Sequence, residues 1–373
     1  MDWLLLLEWA IKSIILIFAL LGGFAYLTWY ERRALARMQV RIGPNRAGWQ
    51  GLLQPIADAI KLIFKEELTP ARAEKVLFIL APILTVVPAV VITATVPWGP
   101  DIPLNAIGIP YTIKPYIANI NVGAIYITAI ASIAVYGIVL AGWSSDNKYA
   151  MLGALRSTAQ MVSYELSLGL SLVVVILMTG SMNMIQIVEA QRSVWFAVVQ
   201  PVAMAIFMIA TLAELNRAPF DMPEAEQELT AGYHTEYSGM KFALFFMAEY
   251  TKMIAISAIA AALFFGGYLG PFIDDLPVLG PFYMFLKILA ILFWMIWVRA
   301  TWPRIRYDRL MSFSWKVMLP LSLAVVMITA VGIVLGFSFG TVAQWIFTSL
   351  LSLLVAFLFT LAIDRSLRRK LYA

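Results

Sequence analysis

Residues 242–265 read FALFFMAEYTKMIAISAIAAALFF, and this stretch decides the class of fold. It is long enough to cross the hydrocarbon core of a bilayer, which takes roughly 20 apolar residues of α-helix. Because a chain in lipid must satisfy its own backbone hydrogen bonds, such stretches are typical of transmembrane helices. The sequence therefore predicts an all-α integral membrane protein with about nine transmembrane helices. The nine apolar stretches lie near residues 13–30, 76–97, 122–142, 160–180, 194–213, 242–265, 282–298, 315–337 and 342–363.

The composition agrees with a membrane protein. The chain has 373 residues, of which 62% are hydrophobic and 13% are charged, whereas soluble domains carry about 25% charged residues. This composition excludes a soluble domain, a disordered chain and a nucleic-acid-binding protein. The chain has no cysteine and a single histidine, which excludes disulfides, thiolate-bound iron–sulfur clusters and a metal site rich in cysteine or histidine. Any redox cofactor must belong to another chain or be a diffusible molecule.

The basic residues predict the orientation in the membrane. With nine spans, most of the 27 lysines and arginines fall on loops of one side, which the positive-inside rule makes the inner side. We therefore expect one polytopic membrane domain with its N-terminus outside and its C-terminus inside. The inner connections at 31–75 and 214–241 are long and charged, so function is expected there. The segment 338–373 adds the ninth helix and a basic tail.

The first inner loop contains a short amphipathic pattern. Apolar residues recur at helical spacing from residue 52 to 63, and Asp58 and Lys61 lie on the opposite side. This pattern predicts an interfacial helix, too short and too charged to span the membrane. Two interpretations remain open for this loop. It is either a basic segment anchored to anionic lipid, or the rim of a chamber for an amphipathic ligand or inner-side partner.

The second long inner loop and the start of the next helix are rich in acids. The spacing of Asp221 and Glu224 resembles an N-terminal capping box, which explains two of these acids by structure alone. The others would repel one another unless some are protonated or paired with Arg217 or Lys241. The seven acids of residues 213–250 are Glu214, Asp221, Glu224, Glu226, Glu228, Glu236 and Glu249.

Four ionisable residues are predicted at membrane depth: Glu165, Glu214, Glu249 and Lys252. A charge there costs at least roughly 2.5–3.5 kcal/mol, so such residues usually face the bundle interior and mark an ion path. Burial and mutual repulsion favour the protonated form of a carboxylate, which suits proton exchange near neutral pH. The alternative is a Glu249–Lys252 pair, three residues apart, that only joins helices. For His234 we expect a surface or structural role.

Long strings of the chain resemble a known family. They are ERRALARMQVRIGPNRAGWQGLLQPIADAIKLIFKE at 31–66, YGIVLAGWSSDNKYAMLGALRSTAQMVSYELSLGL at 136–170, AELNRAPFDMPEAEQELTAGYHTEYSGMKFALFFMAEY at 213–250 and WVRATWPRIRYDRLMSFSWK at 297–316. They resemble, in order, the quinone-site membrane subunit of respiratory complex I. This family comprises the H subunit of bacterial NADH–quinone oxidoreductase and mitochondrial NADH dehydrogenase subunit 1. The ninth helix resembles the longer bacterial versions, so we expect a bacterial plasma (inner) membrane.

The resemblance implies a subunit of a proton-translocating NADH:quinone oxidoreductase, with quinone as the substrate and no redox cofactor in this chain. FMN and iron–sulfur clusters would lie on partner subunits. The implied partners are hydrophilic-arm subunits that carry the terminal cluster and the quinone pocket, small membrane subunits, antiporter-like subunits and membrane lipid. The family's quinone chamber matches Arg32, Arg33, Arg37, Gln54, Pro55, Asp58, Lys61, Arg217 and Phe220. Its funnel of acids matches Glu165, Glu214, Glu224, Glu226, Glu228, Glu236 and Glu249.

One position departs from some long bacterial members, which carry an acid where this chain has Ser132. The implied mechanism brings a long quinone through a slot open to lipid, and its reduction shifts the protonation of the glutamates. Three alternatives stay open. The closest is the related membrane anchor of energy-converting hydrogenases. A stand-alone proton-coupled transporter is disfavoured, because the sequence predicts neither an internal repeat nor a broken helix. A passive membrane anchor is the third.

Overall fold

The computed structural model describes residues 3–103, 112–221, 232–336 and 341–371, and the regular secondary structure in this part of the chain is almost entirely helical. A two-residue antiparallel pair, β1 (Ile102–Pro103) with β2 (Thr112–Ile113), is the exception among the described residues. The α-helices are α1 (Trp3–Met38), α2 (Gln54–Ile63), α3 (Lys75–Val91), α4 (Gly123–Ser144), α5 (Lys148–Thr179), α6 (Met184–Glu189), α7 (Phe196–Val199), α8 (Pro201–Glu214), α9 (Gly239–Phe264), α10 (Leu279–Thr301), α11 (Tyr307–Phe313), α12 (Leu319–Gly336) and α13 (Thr341–Leu371). A π-helical turn, Ser314–Met318, joins α11 to α12.

The predicted all-α membrane fold is confirmed. Within the described residues, seven helical stretches are long and apolar enough to cross a membrane: Leu6–Met38, Lys75–Thr95, Gly123–Ser144, Lys148–Thr179, Gly239–Phe264, Leu279–Thr301 and Tyr307–Leu335. They coincide with seven of the predicted spans. The spans predicted near 194–213 and 342–363 coincide with the shorter apolar helices Pro201–Glu214 and Trp345–Leu361. The count of nine crossings therefore stays a prediction.

The helix predicted near 194–213 is broken in the structure. It consists of α7 and α8, separated by Gln200, whose φ of −130° and ψ of 63° are not helical. The cause is Pro201, which lacks a backbone N–H and disfavours helical dihedrals at the residue before it. The expectation that the chain has no broken helix is therefore wrong at this point.

Small residues allow α3, α4 and α5 to approach closely. A Cβ atom added at Gly137 of α4 would lie 2.5 Å from the Thr85 side chain of α3. A Cβ atom added at Gly142 would lie 2.3 Å from the Cβ atom of Ala154 on α5. Since side chains larger than hydrogen do not fit at these two points, the glycines bring the helix backbones together, as is common between membrane helices.

Helix α5 runs through the core of the bundle and packs against α4, α8 and α12. Its Tyr164 is fully buried, and the ring packs against Phe220 with the centroids 5.6 Å apart. The Tyr164 hydroxyl donates a hydrogen bond to the Leu310 carbonyl oxygen at 3.2 Å. Through Tyr164, helix α5 therefore contacts both the segment that follows α8 and helix α11.

The predicted amphipathic helix is present as α2, with Pro55 in its first turn. Its apolar residues Ile56, Ile60 and Ile63 are each more than half exposed. No described part of the chain covers this apolar face, which is the geometry expected of a helix lying on the membrane interface. Helix α2 packs beside the end of α1.

Candidate functional site

The turn after α8 is fixed by side chains of α5. Asn216 adopts a positive φ of 51°, which asparagine tolerates better than most residues. Its Nδ2 atom lies 3.1 Å from Ser157 Oγ. The Gln160 amide donates to the carbonyl oxygens of Ala213 and Phe220, each at 2.8 Å. These bonds hold the turn against α5 and thereby fix the position of Arg217.

Four charged side chains meet beside this turn. The Arg217 Nη1 atom contacts both carboxylate oxygens of Glu31 at 2.8 and 2.9 Å, and Arg217 Nε contacts Glu249. Arg299 of α10 also pairs with Glu31. The side chains of Glu31 and Arg217 are only 2% and 6% exposed. We call Glu31, Arg217, Glu249 and Arg299 the four-charge cluster; its two arginines and two glutamates balance.

The environment of Arg217 keeps it charged. Burial lowers the pKa of its guanidinium, but the neighbouring Glu249 and Glu31 carboxylates outweigh burial and hold that pKa well above its usual value. The guanidinium also lies over the Tyr250 ring, 4.3 Å from the centroid, in a cation–π contact. Arg217 is therefore a fixed positive charge. It is contacted by Glu31 of α1 and by Glu249 and Tyr250 of α9.

A second buried pair lies next to the cluster. Lys252 Nζ of α9 lies 2.9 Å from Glu214 Oε1 at the end of α8, and both side chains are less than 10% exposed. The pairing of Glu249 with Lys252, considered from their spacing, is not formed. Glu249 instead contacts Arg217. Each acid is thus neutralised by a cation from another part of the chain, which ties α9 to α8 and its following turn.

A small cavity lies beside both pairs. Its volume is about 50 Å³, and Glu214, Glu249, Lys252 and Asn216 are among the residues that line it. A site with polar partners needs at least roughly 10–15 Å³ to hold a water molecule. The cavity is therefore large enough for water that would connect the two buried carboxylates.

Glu165 of α5 is the next acid beyond this cavity. It receives a hydrogen bond from the Ser132 hydroxyl of α4, and it interacts electrostatically with Glu214 and Lys252. Some long members of the family are expected to carry an acid at position 132. In this chain Ser132 occupies that position and contacts Glu165, an acid of the predicted series. Glu249, Glu214 and Glu165 form a row that crosses α9, α8 and α5; we call it the glutamate row.

The predicted quinone-site residues of α1 and α2 form a separate surface at the end of α1. Arg32 Nη1 lies 2.7 Å from Asp58 Oδ2, and the Gln54 amide donates to Asp58 Oδ1 at 3.0 Å. Arg33 donates to the Gln50 carbonyl oxygen at 2.8 Å. Arg32 and Gln54 thus meet at Asp58, whereas Arg33 contacts the Gln50 backbone. Pro55 is buried, whereas Arg37 and Lys61 are exposed.

A large apolar groove runs along the other side of α1. Its volume is about 580 Å³, and it lies between α1, α9 and α10. Along α1 it extends from Lys12 to Trp29 and Tyr30, and it ends two residues before Arg32. Since α1 rises about 1.5 Å per residue, the groove follows most of the thickness of a bilayer. An apolar space of this length suits a long hydrocarbon tail.

Two further acids of the second long loop, Asp221 and Glu236, make polar contacts on its flanks. Asp221 pairs with Arg304 at 2.9 Å, and Glu236 accepts a hydrogen bond from the Asn147 amide at 2.7 Å. Lys241 pairs with Glu67 at 3.6 Å rather than with an acid of its own loop. Three predicted acids, Glu224, Glu226 and Glu228, lie outside the described residues, as does the predicted capping box at Glu224.

His234 is buried, so the expected surface position is wrong and a structural role stays a prediction. It is 6% exposed and packs among aromatic rings, including that of Tyr233 at 3.9 Å between centroids. Burial lowers the pKa of its imidazole to about 3. His234 is therefore neutral at physiological pH. No group of three or more acids or histidines within the described ranges is placed to hold a metal ion.

Sequence reasoning misses three residues of the site: Glu31, Tyr250 and Arg299. Glu31 is not identified because it lies at the end of the first predicted span and is followed by a basic segment. A signal is present, since it is an acid directly followed by Arg32 and Arg33. Tyr250 and Arg299 carry no local signal, because their roles depend on contacts with Glu31 and Arg217.

Comparison with known proteins gives a consistent result. A sequence profile of the family described as NADH dehydrogenase matches residues 11–330. The chain is 50% identical to the H subunit of NADH-quinone oxidoreductase from Thermomicrobium roseum, over 87% of this chain and 95% of that protein. It is 50% identical to the corresponding protein of Rickettsia typhi, over 86% of this chain and 93% of that protein. The chain belongs to the family of the NADH-quinone oxidoreductase H subunit.

This assignment confirms the resemblance stated from the four sequence segments. A further relative from this family, that of Geobacter metallireducens, is 48% identical over 85% of this chain and 93% of that protein. The relatives are subunits of an oxidoreductase complex, respiratory complex I, and the apolar helices make this member of the family a multi-pass membrane protein. Membership of this family favours a subunit of NADH-quinone oxidoreductase over a hydrogenase anchor or a stand-alone transporter.

Proposed function

We propose that this chain forms part of the quinone chamber of a proton-pumping NADH-quinone oxidoreductase and couples quinone reduction to proton translocation. The observation that carries the proposal is the contact between a fixed charge cluster and a row of buried glutamates. The four-charge cluster shares Glu249 with the row, which continues through Glu214 to Glu165. A change of charge at one end would therefore alter the electrostatic potential at each glutamate of the row.

Two surfaces of α1 would serve the quinone. The apolar groove from Lys12 to Tyr30 would accommodate the isoprenoid tail. The polar surface around Asp58, with Arg32, Arg33 and Gln54, would guide the headgroup toward the partner subunit that carries the redox centre. Arg37, Pro55 and Lys61 would complete this rim, and Arg217 and Phe220 would lie behind it.

The coupling step would be electrostatic. Reduction of a quinone to a quinol takes up two electrons and two protons. The quinol itself is neutral, but protons drawn from groups of the surrounding protein would change the charge near the four-charge cluster. Because the neighbouring carboxylates are buried, their protonation responds strongly to such a change. Glu224, Glu226, Glu228 and Glu236 of the second long loop would extend the same series toward the quinone.

The assembly around the chain follows from this function. Electrons would come from FMN and iron–sulfur clusters on hydrophilic-arm subunits, and this chain would hold no redox cofactor. Small membrane subunits and antiporter-like subunits would receive the coupling signal. The chain would act as one polytopic domain with nine crossings in a bacterial plasma membrane, its N-terminus outside and its C-terminus in the cytoplasm. The complex would be a translocase.

The test is a paired measurement in inside-out vesicles that contain the native complex. NADH-driven quinone reduction and proton uptake are recorded together for the wild type, for Glu214→Gln and for Glu189→Gln. Glu189 pairs with Arg192 away from the glutamate row and serves as the matched acid control. We expect Glu214→Gln to lose proton uptake and Glu189→Gln to retain it.

Wild-type proton uptake in Glu214→Gln would contradict the coupling role. Absence of NADH-driven quinone reduction in the wild-type assembly would contradict the enzymatic part of the proposal and would favour the hydrogenase-type complex instead.

A further inference from the structure

Lys252 is a buried cation in the middle of a row of acids. Its side chain is 9% exposed, and its Nζ atom lies 2.9 Å from Glu214 Oε1. A lysine is rarely buried this deeply without a partner whose charge it balances. An uncharged side chain of similar length would fill the same space, so packing alone does not explain a lysine at this position.

The placement of Lys252 links all three acids of the glutamate row. It is one helical turn after Glu249 on α9, it pairs with Glu214 of α8, and it interacts electrostatically with Glu165 of α5. It also lines the 50 Å³ cavity together with Glu214 and Glu249. An ammonium group has three N–H donors, and the pair with Glu214 leaves donors that water in this cavity would accept.

We propose that Lys252 is a positioning residue of the proton path, which holds the Glu214 carboxylate beside the cavity water, from which Glu214 accepts a proton. This inference rests on the proposed function and deepens it. In the step, the protonated form of Glu249 gives its proton to the cavity water, and the water gives a proton to the Glu214 carboxylate. Lys252 keeps its charge throughout. The proton then leaves Glu214 for the Glu165 carboxylate, and the Lys252–Glu214 pair is restored.

The groups around Glu214 that affect its charge come from several elements. Lys252 is the cation in contact with it, and Glu165 is the acid that faces both members of the pair. The titratable and charged groups on the packed elements are Glu165 of α5, Arg217 and Tyr233 of the loops after α8, Glu249, Tyr250 and Lys252 of α9 and, behind Arg217, Glu31 of α1. Lys252 is the cation nearest to Glu214 among the described residues.

The experiment compares Lys252→Met and Lys252→Arg in the assembled complex. Protons taken up per quinone reduced are measured in inside-out vesicles between about pH 6.5 and 9, a range wide enough to reveal most of the effect of an opposite charge on a neighbouring carboxyl. Without the ammonium group, Glu214 loses the cation that contacts it, and an opposite charge nearby favours the charged form of a carboxyl group. We expect the ratio in Lys252→Met to fall severalfold at pH 7, and its half-maximal point to move to a pH higher by about 1–3 units. Lys252→Arg restores the wild-type profile.

Lys241→Met is the matched control, because Lys241 pairs with Glu67 outside the glutamate row. It retains the wild-type ratio and pH profile. If Lys252→Met does not assemble, Lys252→Gln replaces it, since glutamine is neutral but still donates a hydrogen bond to Glu214. The same alkaline displacement is expected for Lys252→Gln.

The outcomes separate this inference from the proposed function. A wild-type ratio and pH profile in Lys252→Met or Lys252→Gln, with a lost ratio in Glu214→Gln, would overturn the role of Lys252 alone. A wild-type ratio in Glu214→Gln would overturn the proposed coupling function itself. An equal loss in Lys252→Met and Lys252→Arg at every pH would also overturn the inference, because the charge would then not be the cause.

Discussion

Arg217 and Glu31 are 186 residues apart in the chain, yet one nitrogen of the Arg217 guanidinium contacts both carboxylate oxygens of Glu31. The pair joins the end of α1 to the turn after α8. Arg299 reaches the same carboxylate from α10, and Glu249 reaches the same guanidinium from α9. One buried contact thus holds four separate parts of the chain at the end of the bundle.

Removal of Arg217 is expected to be strongly destabilising. Arg217→Met leaves Glu31 and Glu249 buried with a single remaining arginine, and breaking a buried pair in this way costs about 3–5 kcal/mol. The amount of assembled complex in the membrane and its thermal unfolding midpoint measure this effect. We expect both to fall well below the wild-type values.

Arg192→Met is the control for that substitution. Arg192 also contacts two acids, Glu189 and Asp274, but its side chain is 54% exposed. Exposed pairs contribute about 0–1 kcal/mol, so this variant should assemble normally. Equal losses in both arginine variants would show that burial does not set the importance of Arg217.

The apolar groove predicts a selective effect on long-tailed quinones. A Cβ atom at Gly23 points toward Ile254, 3.1 Å from its Cδ1 atom, whereas a Cβ atom at Gly22 meets nothing within 4 Å. Gly23→Phe therefore fills the groove, and we expect the KM for a long-tailed quinone to rise by roughly tenfold, which corresponds to about 1.4 kcal/mol of lost binding. Steady-state kinetics with quinones of different tail length measure it.

The neighbouring substitution controls for the change in helix propensity. Gly22→Phe places the same ring on α1 in open space, so the KM values for both quinones should stay at the wild-type level. A rise in KM for a short-tailed quinone in Gly23→Phe, equal to that for the long-tailed one, would contradict a role of the groove in binding the tail.

His234 predicts a specific pH dependence of stability. Its pKa of about 3 in the folded chain lies below the ordinary value of 6.5 because the ring is buried. Between these two pH values the unfolded chain binds a proton at His234 and the folded chain does not. Stability is therefore lost as pH falls from about 6.5 toward 3. At pH 5.5 this amounts to about 1.4 kcal/mol.

The measurement is the change in thermal midpoint of the solubilised complex between pH 7.5 and pH 5.5. His234→Phe keeps an aromatic ring among Tyr233, Phe242, Phe245 and Phe246 and removes the titrating group. We expect a smaller loss of stability on acidification in the variant. The same loss in both proteins would show that His234 does not carry this pH dependence.

Much of the fold could be predicted from the sequence because apolar length alone identifies a membrane helix. The runs at 76–97 and 122–142 coincide with helices whose bounds differ by a few residues. The boundary at Gln200 escapes prediction because hydropathy is insensitive to a proline that interrupts a helix without interrupting its apolar character. The amphipathic α2 is predictable because a helical period is visible over a single segment.

The candidate site was harder to predict, since it depends on pairs that are distant in sequence. The spacing of Glu249 and Lys252 allows a pair on one helix, but the structure offers each a partner on another element. Glu249 meets Arg217, and Lys252 meets Glu214. Local spacing describes which pairs are possible, and only the packing of α8 against α9 decides between them.

Glu165→Gln gives the most direct test of the coupling role. Glu165 receives a hydrogen bond from Ser132 and forms no described ion pair, so its neutralisation leaves no buried cation without a partner. The variant is nearly isosteric, and Ser132→Ala serves as the control that removes the same hydrogen bond but keeps the acid. Both are assembled in the native complex and studied in inside-out vesicles.

Protons taken up per quinone reduced is the quantity to measure, with NADH as the electron donor. If the glutamate row couples the two reactions, Glu165→Gln reduces quinone at close to the wild-type rate but takes up few protons, and Ser132→Ala retains most of the ratio. A wild-type ratio in Glu165→Gln would contradict the proposal that protons or their charge effects pass along this row.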